Sequence, residues 1–317
     1  MASCLGRTTT EQLMTVLNIG GTGFIGAALT EALLAAGEEV VCFDQRPGSV
    51  PPDATVVEGD VTKYDALSEV FEMHEPDAIA HLAYVLTAET ESNPHHATRV
   101  NCVGTDNVFR AAVEYGVDRV VYASSIAAMG SHAEYAEQVS ESMSVPAALS
   151  QFPQMSLYGA TKQFTEFQAR EYERREGLET VGIRPTVVFG PGRERGRSTW
   201  GSDFVTDPAT GSEGHIACRP DQRLNMVYRD DVAQLFHLAI RADSVDHPVY
   251  LSGGHTVTAR DLAARVESVV GGTVTCDPSA PTVELPWDVS HERAHQAFGY
   301  TLTPLDESIR HHAAAVA

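Results

Sequence analysis

The sequence predicts an α/β fold with a doubly wound, mostly parallel β-sheet. Short apolar runs alternate with amphipathic stretches along most of the chain, the order expected of strands and helices that follow one another. A glycine-rich turn, GGTGFIG at 20–26, joins the first apolar run to the first amphipathic stretch. The chain has 317 residues, of which 43% are hydrophobic, and can therefore bury a large core. In a sheet of this kind, ligands bind at the carboxyl ends of the strands.

Residues 16–44 predict a strand, a tight turn, a helix and a second strand. Residues 16–19 form an apolar run typical of a buried strand, and apolar side chains then recur at helical spacing over 28–36. Gly37 is a natural stop for this helix. A second apolar run at 40–43 completes a unit of two strands joined by a helix.

The glycines and the acid that ends this unit predict a dinucleotide site. Gly21 to Gly26 fits the pattern G-x-G-x-x-G, and Asp44 follows eighteen residues after Gly26. Small residues let backbone N–H groups approach a pyrophosphate, and the helix N-terminus favours its negative charge. Asp44 favours NAD, because a carboxylate accepts hydrogen bonds from the ribose hydroxyls and repels a 2′-phosphate. Arg46, two residues further on, keeps NADP open as an alternative.

The remaining elements continue the same alternation. Strands are predicted at 55–61, 78–84, 117–125, 180–183 and 249–251, the last of the chain, and helices at 97–116, 156–176, 227–241 (after a strand end) and 258–270. Asp60 and Val61 fall where the sheet would meet an adenine ring, although Asp60 could equally cap the helix that begins near Tyr64. His81 is interpreted as a packed strand-end residue.

Three stretches show no regular pattern. Residues 1–13 are polar and are interpreted as a disordered leader. Residues 131–155 are rich in Ser, Glu, Ala and Pro, and the stretch is long enough for a functional lid. The chain from 193 to 223, in which Gly, Ser, Thr and Arg predominate, is predicted to be irregular.

The composition excludes several classes of partner. The net charge of −21 opposes binding to nucleic acid or anionic membranes, since the summed field would repel phosphates. No apolar run approaches the roughly 18 residues of a membrane span, and the first residues lack the pattern of a signal peptide, so a cytoplasmic protein is expected. The five cysteines are widely spaced and form no C-x-x-C pair, so neither a disulfide framework nor a metal site is indicated.

A set of motifs follows in a fixed order along residues 14–310. The set comprises the glycine turn with Asp44, Asp60-Val61, His81-Leu82-Ala83, Asn101 with Gly104-Thr105, Ser124-Ser125, Tyr158-x-x-x-Lys162, Arg184-Pro185 with Gly190-Pro191, and Asp231-Val232-Ala233. In combination it resembles the extended short-chain dehydrogenases/reductases, often labelled the NAD-dependent epimerase/dehydratase family. The resemblance implies a Rossmann-like sheet, NAD as the cofactor, and a homodimer formed through the helices near 97–115 and 156–176.

The resemblance also implies a division of the chain. A dinucleotide-binding domain is expected at 14–186, with 227–252 returning to it. A smaller, C-terminal substrate-binding lobe is expected at 187–226 and 253–317.

Roles for individual residues follow from the same resemblance. Tyr158 is the expected general acid/base, and Lys162, on the same helical face, would lower its pKa and hold the nicotinamide ribose. Ser125 would hydrogen-bond the substrate oxygen, with Ser124 as the next candidate. The residues expected to line the cofactor are Gly20, Gly23, Phe24, Ile25, Gly26, Asp44, Asp60, Val61, Leu82, Ala83, Asn101, Tyr158, Lys162 and Pro185.

Three functions remain open from the sequence. The first is an NAD-dependent oxidoreductase that acts on a small polar substrate and releases reduced cofactor. The second is a nucleotide-sugar epimerase or dehydratase that retains its NAD, and the third is a non-catalytic cofactor sensor on the same fold. The intact set of Tyr158, Lys162 and Ser125 disfavours the sensor. The apolar residues 126–128 stand where dehydratases usually carry acids, and so disfavour dehydration.

Two departures from the sugar-nucleotide enzymes favour a small substrate. Val187 stands where those enzymes typically carry an asparagine that contacts the substrate, and the segment 193–222 is short and polar. Five arginines near this segment could bind an anion, although solvated loop charges are an equally good interpretation: Arg193, Arg195, Arg197, Arg219 and Arg223. The hypothesis is a carboxylate-bearing or polyhydroxylated small molecule.

Overall fold

A seven-stranded parallel sheet lies at the centre of the computed structural model, which describes residues 13–48, 50–131, 137–143, 156–193 and 200–317. The strands of this described part are β1 (Thr15–Ile19), β2 (Glu39–Asp44), β3 (Thr55–Glu58), β4 (Ala78–His81), β5 (Arg119–Ala123), β6 (Glu179–Arg184), β7 (Val187–Phe189), β8 (Gly214–Ile216), β9 (Arg223–Tyr228), β10 (Val249–Leu251), β11 (His255–Thr258) and β12 (Val274–Cys276). The leader and most of the predicted lid lie outside the described residues.

The order of the strands gives the sheet its ligand-binding edge. Across the sheet they run β3-β2-β1-β4-β5-β6-β10, and every pair of neighbours is parallel. The direction of winding reverses between β1 and β4, and in a doubly wound sheet this point opens a crevice at the carboxyl ends of the strands. The predicted α/β, Rossmann-like fold is confirmed.

Helices cover both faces of this sheet. The helices of the described chain are α1 (Phe24–Ala35), α2 (Tyr64–His74), α3 (Thr87–Ser92), α4 (Pro94–Thr98), α5 (Thr105–Glu114), α6 (Leu157–Glu176), α7 (Trp200–Ala209), α8 (Arg229–Arg241), α9 (Ala259–Val269), α10 (Glu292–Phe298) and α11 (Leu305–Val316). Successive residues of a strand point to opposite faces. Val16 therefore lies in the core that α1 and α8 build, and Leu17 in the core that α2 and α5 build.

The helix predicted at 97–116 is present, with a change of winding inside it. Residues Arg99–Gly104 form a π-helical segment between α4 and α5. Gly104 lies in this segment against Val61, where an added Cβ would come within 2.6 Å of Val61 Cγ2. The wider turn also carries Asn101 into the interior, where its side chain is fully buried.

Two predictions for the second half of the chain were wrong. The stretch 193–223 contains helix α7 and strand β8, and β10 is followed by two further strands. The sequence pattern does not predict helix α7 because Gly201 and Pro208 lie inside it, and both residues have low helix propensity. Its buried side shows only against the rest of the fold, where Phe204 and Val205 are fully buried.

Helix α7 belongs to a third core beside the sheet. This core also contains residues of β9, α9 and α11, among them Leu224, Leu262 and Ile309. Strands β7, β9 and β11 form a small sheet here, and β8 pairs with β12. The division of the chain into a dinucleotide-binding domain and a substrate-binding lobe stays a prediction. Among the described residues, no helix is long and apolar enough to cross a membrane.

Candidate active site

The residues expected at the site come together because they end parallel strands. Five strands of the sheet finish at the same edge, and the expected site residues stand at or just after these strand ends. These residues are Gly20 after β1, Asp44 at the end of β2, Leu82 after β4, Ser124 and Ser125 after β5, and Pro185 after β6.

The glycine turn closes tightly against the chain that leaves β4. Gly20 has φ +85°, and an added Cβ would lie 2.6 Å from the backbone nitrogen of Ala83. An added Cβ at Gly26 would lie 2.0 Å from the carbonyl oxygen of Gly20. These two positions therefore admit only glycine, and they fix the turn from which α1 starts.

The N-terminus of α1 fits a pyrophosphate. Gly23 is the N-cap residue, and no side chain caps the first turn, which Phe24 and Ile25 open. An added Cβ at Gly23 would approach only the Gly20 carbonyl oxygen, at 3.2 Å, so the space in front of the first turn is bordered by backbone. Uncapped N–H groups at a helix N-terminus are donors for an anion.

Asp44 lies beside this turn. Its two carboxylate oxygens are each 3.4 Å from a backbone nitrogen, Oδ2 from Thr22 and Oδ1 from Arg46. The Thr22 hydroxyl donates to the Arg46 carbonyl oxygen at 3.0 Å, which joins the glycine turn to the chain after β2. The carboxylate thus lies next to the glycine turn, and a carboxylate at the end of the second strand is a group that can accept hydrogen bonds from a ribose.

Asp60 and Val61 lie at the next strand end, on the predicted adenine side. Asp60 Oδ1 accepts a hydrogen bond from the Thr62 backbone at 2.8 Å. The N-cap residue of α2 is Lys63, so Asp60 shapes the turn before the helix and does not cap it. Val61 is buried, and its carbonyl oxygen accepts from Asn107 Nδ2 at 2.9 Å.

Asn101 holds the chain that follows β4. Its Oδ1 accepts from the Val85 backbone nitrogen at 2.7 Å, and its Nδ2 donates to the Val85 carbonyl oxygen at 3.0 Å and approaches Thr161 Oγ1 at 3.3 Å. These bonds use the polar atoms of a fully buried amide. Asn101 therefore fixes the backbone at Val85, in the segment that follows the Leu82–Ala83 wall of the crevice.

Lys162 projects into the interior from α6, just behind the crevice. Its Nζ donates to the Ala123 carbonyl oxygen at 2.5 Å and lies 2.9 Å from the centre of the Tyr84 ring. The ammonium is 5.5 Å from the centre of the Tyr158 ring. Burial holds the pKa of Lys162 well below its ordinary value, and the negative charge of Glu166 opposes that shift.

Tyr158 and Ser125 meet in front of Lys162. Burial raises the pKa of Tyr158 to about 12, while its interaction with the Ser125 hydroxyl and the positive charge of Arg193 both act to lower it. Ser125 Oγ also accepts from the Ala127 backbone nitrogen at 3.1 Å, so its rotamer is fixed. A phenol, a hydroxyl and an ammonium on rigid elements can share a proton with a bound oxygen.

Ser124 belongs to a different network. Its buried hydroxyl donates to Glu166 Oε1 at 2.5 Å. Arg184 donates two hydrogen bonds to the same carboxylate, 2.7 Å from Nε to Oε1 and 2.6 Å from Nη2 to Oε2. The carbonyl oxygen of Pro185 accepts from Ile126 at 3.0 Å. Ser124 and Pro185 thus hold strand ends in place, and the hydroxyl of Ser124 is already engaged away from Tyr158.

His81 is packed, as its position at a strand end predicts. Its side chain is fully buried, and Nε2 lies 3.0 Å from Thr105 Oγ1. Burial lowers the pKa of His81 to about 3, and the positive charge of Lys162 adds to this shift. The ring is therefore neutral at physiological pH and forms part of the wall behind Lys162.

The structure adds Tyr84 to the site, and of the five arginines considered as anion ligands it brings Arg193 to the crevice. Tyr84 supports the Lys162 ammonium, and its only sequence signal was an aromatic residue just after a strand. The arginines considered as anion ligands separate: Arg219 pairs with Asp221 at 3.5 Å, Arg223 stacks on Trp287, and Arg193 comes to the crevice. Arg195 and Arg197 lie outside the described residues. Within the described chain, no three His, Cys, Asp or Glu side chains could together hold a metal ion.

Curated relatives of this chain include both epimerases and dehydrogenases. A UDP-glucose 4-epimerase of Azospirillum brasilense is 30% identical over 191 residues, which are 58% of this chain and 52% of that protein. The chain thus spans about half the length of this relative. A D-erythronate dehydrogenase of Haemophilus influenzae is 24% identical over 275 residues, 82% of this chain and 84% of that protein.

A solved structure and a family model also relate this chain to NAD-dependent enzymes. The UDP-glucose 4-epimerase of Thermus thermophilus, solved in complex with NAD, is 25% identical and superposes with a TM-score of 0.84, covering 96% of this chain and 99% of that one. A sequence model of the NAD dependent epimerase/dehydratase family matches residues 16–252. The chain therefore belongs to the NAD dependent epimerase/dehydratase family, a family of extended short-chain enzymes whose cofactor is NAD.

Proposed function

We propose that this protein is an NAD-dependent oxidoreductase that moves hydride between NAD and a hydroxyl or carbonyl group of a small polar substrate, with Tyr158 as general acid/base. The observation that carries the proposal is the meeting of Tyr158, Ser125 and Lys162 at the edge of the sheet where the glycine turn opens. The cofactor, when bound, would accept or supply the hydride.

The residues at the turn suit that cofactor. In the proposal, the first turn of α1 after Gly23 receives the pyrophosphate, and Asp44 receives a ribose. Asp60 and Val61 would border the adenine, and the Leu82–Ala83 wall would border the rest of the dinucleotide. A carboxylate beside the ribose favours NAD over NADP.

The proton follows a short path in this proposal. During oxidation, Tyr158 Oη takes the proton of the substrate hydroxyl while Ser125 Oγ holds the substrate oxygen. A charged Lys162 would favour the phenolate in the loaded site. In the cofactor-free structure the Ser125 hydroxyl and the charge of Arg193 are the groups that act against the effect of burial on the pKa of Tyr158. The substrate loses one hydride and one proton, so a secondary alcohol becomes a ketone, and reduction runs through the same residues in reverse.

A small hydroxy compound is the proposed substrate. Val187 opens β7 at the margin of the third core and offers no amide to a sugar nucleotide. The relative that this chain matches over more than four fifths of both lengths is named for D-erythronate, a small hydroxy acid. The second sequence observation, a short and polar segment at 193–222, no longer supports a small substrate, because this segment contains helix α7.

Epimerisation of a nucleotide sugar is the second candidate. Its support is the 25–30% identity to UDP-glucose 4-epimerases. The two candidates differ in one measurable respect, since an epimerase returns the hydride to its substrate and yields no net NADH.

A substrate panel separates these candidates. The purified protein is mixed with NAD and with either small hydroxy acids or UDP-sugars, and NADH absorbance and product stereochemistry are followed. We expect NADH to accumulate with a hydroxy acid and not in the matched Tyr158→Phe variant. Formation of an epimer from a UDP-sugar without net NADH would overturn the oxidoreductase proposal.

We also propose a homodimer formed through α6 and the π-helical segment before α5. Large apolar side chains are exposed there: Phe167 is 65% exposed, Phe164 49%, Leu157 40% and Val103 48%. Gln168 Nε2 reaches the Cys102 carbonyl oxygen at 3.3 Å, which keeps the two elements side by side. An apolar face of this kind is stabilised when a second copy covers it.

A further inference from the structure

Arg193 is placed at the crevice although it comes from the substrate-binding side of the chain. It follows the turn after β7, and its Nη1 donates to the Val188 carbonyl oxygen at 2.8 Å. Its Cζ lies 5.2 Å from the centre of the Phe24 ring, at the first residue of α1. The guanidinium thus lies where the glycine turn and the lobe meet.

The guanidinium lacks an anionic partner within the described part of the chain. Its Nε is buried and has no hydrogen-bond acceptor, and no described carboxylate pairs with it. Two other deeply placed arginines, Arg119 and Arg184, each pair with a glutamate. The side chain as a whole is half-buried, but a buried N–H donor without an acceptor is costly, so a bound anion would explain why Nε is kept there.

The charge of Arg193 acts on the reacting end of the site. It is among the charges that act on the Tyr158 phenol, and the two groups influence each other's pKa. A substrate whose hydroxyl is held by Tyr158 and Ser125 would therefore place its other end toward the guanidinium. The planar fork of arginine matches a carboxylate with two parallel hydrogen bonds.

Two anions could occupy this place, the cofactor pyrophosphate and a carboxylate on the substrate. The pyrophosphate already has the uncapped first turn of α1. The charge of Arg193 also acts on the Tyr158 phenol, next to which the reacting end of the substrate would lie, so the substrate carboxylate is the anion that we assign to this arginine.

We propose that Arg193 binds the carboxylate of the substrate and thereby selects small hydroxy acids over neutral polyols. This inference rests on the proposed oxidoreductase function, and it names the substrate class. The carboxylate does not react: the carbon that bears the hydroxyl would lose its hydrogen as hydride to NAD, and the hydroxyl oxygen would lose its proton to Tyr158.

The test compares an acid with its uncharged analogue in two variants. Binding of D-erythronate and of erythritol to the NAD-loaded protein is measured by calorimetry, and turnover is measured in parallel. We expect Arg193→Gln to weaken binding of the acid by about 10- to 100-fold, the loss typical of a charge-assisted hydrogen bond, and to leave erythritol and NAD unaffected. Arg193→Lys should recover part of the loss. The control Arg219→Gln removes a half-exposed arginine that pairs with Asp221, and it should leave binding of both compounds and turnover unchanged.

The outcomes separate this inference from the proposed function. If Arg193→Gln weakens NAD as much as the acid, the residue serves the pyrophosphate and the inference is overturned. The inference is also overturned if the wild type binds neither D-erythronate nor any other hydroxy acid of two to five carbons. Binding that depends on Arg193 without any production of NADH would support the inference and contradict the oxidoreductase function. Circular dichroism of both variants guards against a folding defect.

Discussion

The phenol oxygen of Tyr158 offers the most direct test of the proposed chemistry. Tyr158→Phe keeps the ring on α6 and deletes only the atom that would carry the proton. The protein loses the interaction with Ser125, so the free energy of unfolding should fall by only about 0.5–1.5 kcal/mol. We expect NAD binding to stay nearly intact, because the glycine turn and Asp44 are untouched.

The expected loss of rate follows from the role of a positioned acid/base. Such a group typically contributes a factor of about 10²–10⁴, which raises the activation barrier by about 3–5 kcal/mol when it is lost. Burial raises the pKa of Tyr158 to about 12 in the cofactor-free protein, so the reactive phenolate is scarce at neutral pH. Oxidation by the wild type should therefore speed up as the pH rises, and the variant should lose this dependence.

The assay measures kcat from NADH absorbance at saturating cofactor, with calorimetry for NAD and circular dichroism for the fold. Tyr172→Phe is a matched control, since Tyr172 lies on the same helix and its hydroxyl donates to Asp106 Oδ1 at 3.0 Å, away from the site. It should keep full activity. If Tyr158→Phe retained more than about a tenth of the wild-type kcat, another group would have to move the proton.

Three further changes test other parts of the structure. Asp44→Ala should weaken NAD binding by at least about tenfold and spare NADP, as measured by calorimetry, and an equal loss for both would contradict the ribose role. Phe167→Glu should turn a dimer into a monomer in sedimentation equilibrium, while Met73→Glu, at a 74% exposed residue of α2, should not; a wild-type monomer at micromolar concentration would rule out the dimer. Burial raises the pKa of Asp231 from 3.8 to about 6, against hydrogen bonds from Thr303. The folded chain therefore binds more protons than the unfolded chain between about pH 4 and 6, so this carboxylate lowers the free energy of unfolding as the pH rises through that window. The wild type should therefore lose about 3 kcal/mol of its free energy of unfolding, relative to Asp231→Asn, as the pH rises from about 4 to 7. Urea titrations of both proteins measure this difference, and a difference that does not vary with pH would refute the raised pKa.

The parts of the site that lie within one local motif could be predicted from the sequence. Gly20 and Gly26 are required by the backbone of the turn itself, and the acid at Asp44 ends the strand that the turn faces. The pair Tyr158 and Lys162 was predictable because a spacing of four fixes one face of a helix. These features depend on local backbone conformation, which neighbouring residues in the sequence determine.

The directions of the two adjacent serines, Ser124 and Ser125, could not be predicted from the sequence. Both follow β5, and successive residues at a strand end point in opposite directions. Ser124 turns into the protein toward Glu166, and Ser125 turns toward Tyr158. The direction depends on the exact residue at which the strand ends, which an apolar pattern does not fix. Tyr84 is a similar case, because its contact with Lys162 joins segments far apart in the chain.

Helix α6 gathers these contacts into one unit. Tyr158, Lys162 and Glu166 follow one another at intervals of four, so a phenol, an ammonium and a carboxylate lie in a row along one face of the helix. Glu166 is gripped by Arg184 from the end of β6, which ties the helix to the sheet.

The same carboxylate also sets the charge around Lys162. It acts against the effect of burial on the pKa of Lys162, and it also pairs with Arg184, so its removal would take a negative charge away from both cations. The ion pair is therefore more than a structural link, because it ties the helix that presents Tyr158 to the sheet and acts in favour of the charged form of Lys162.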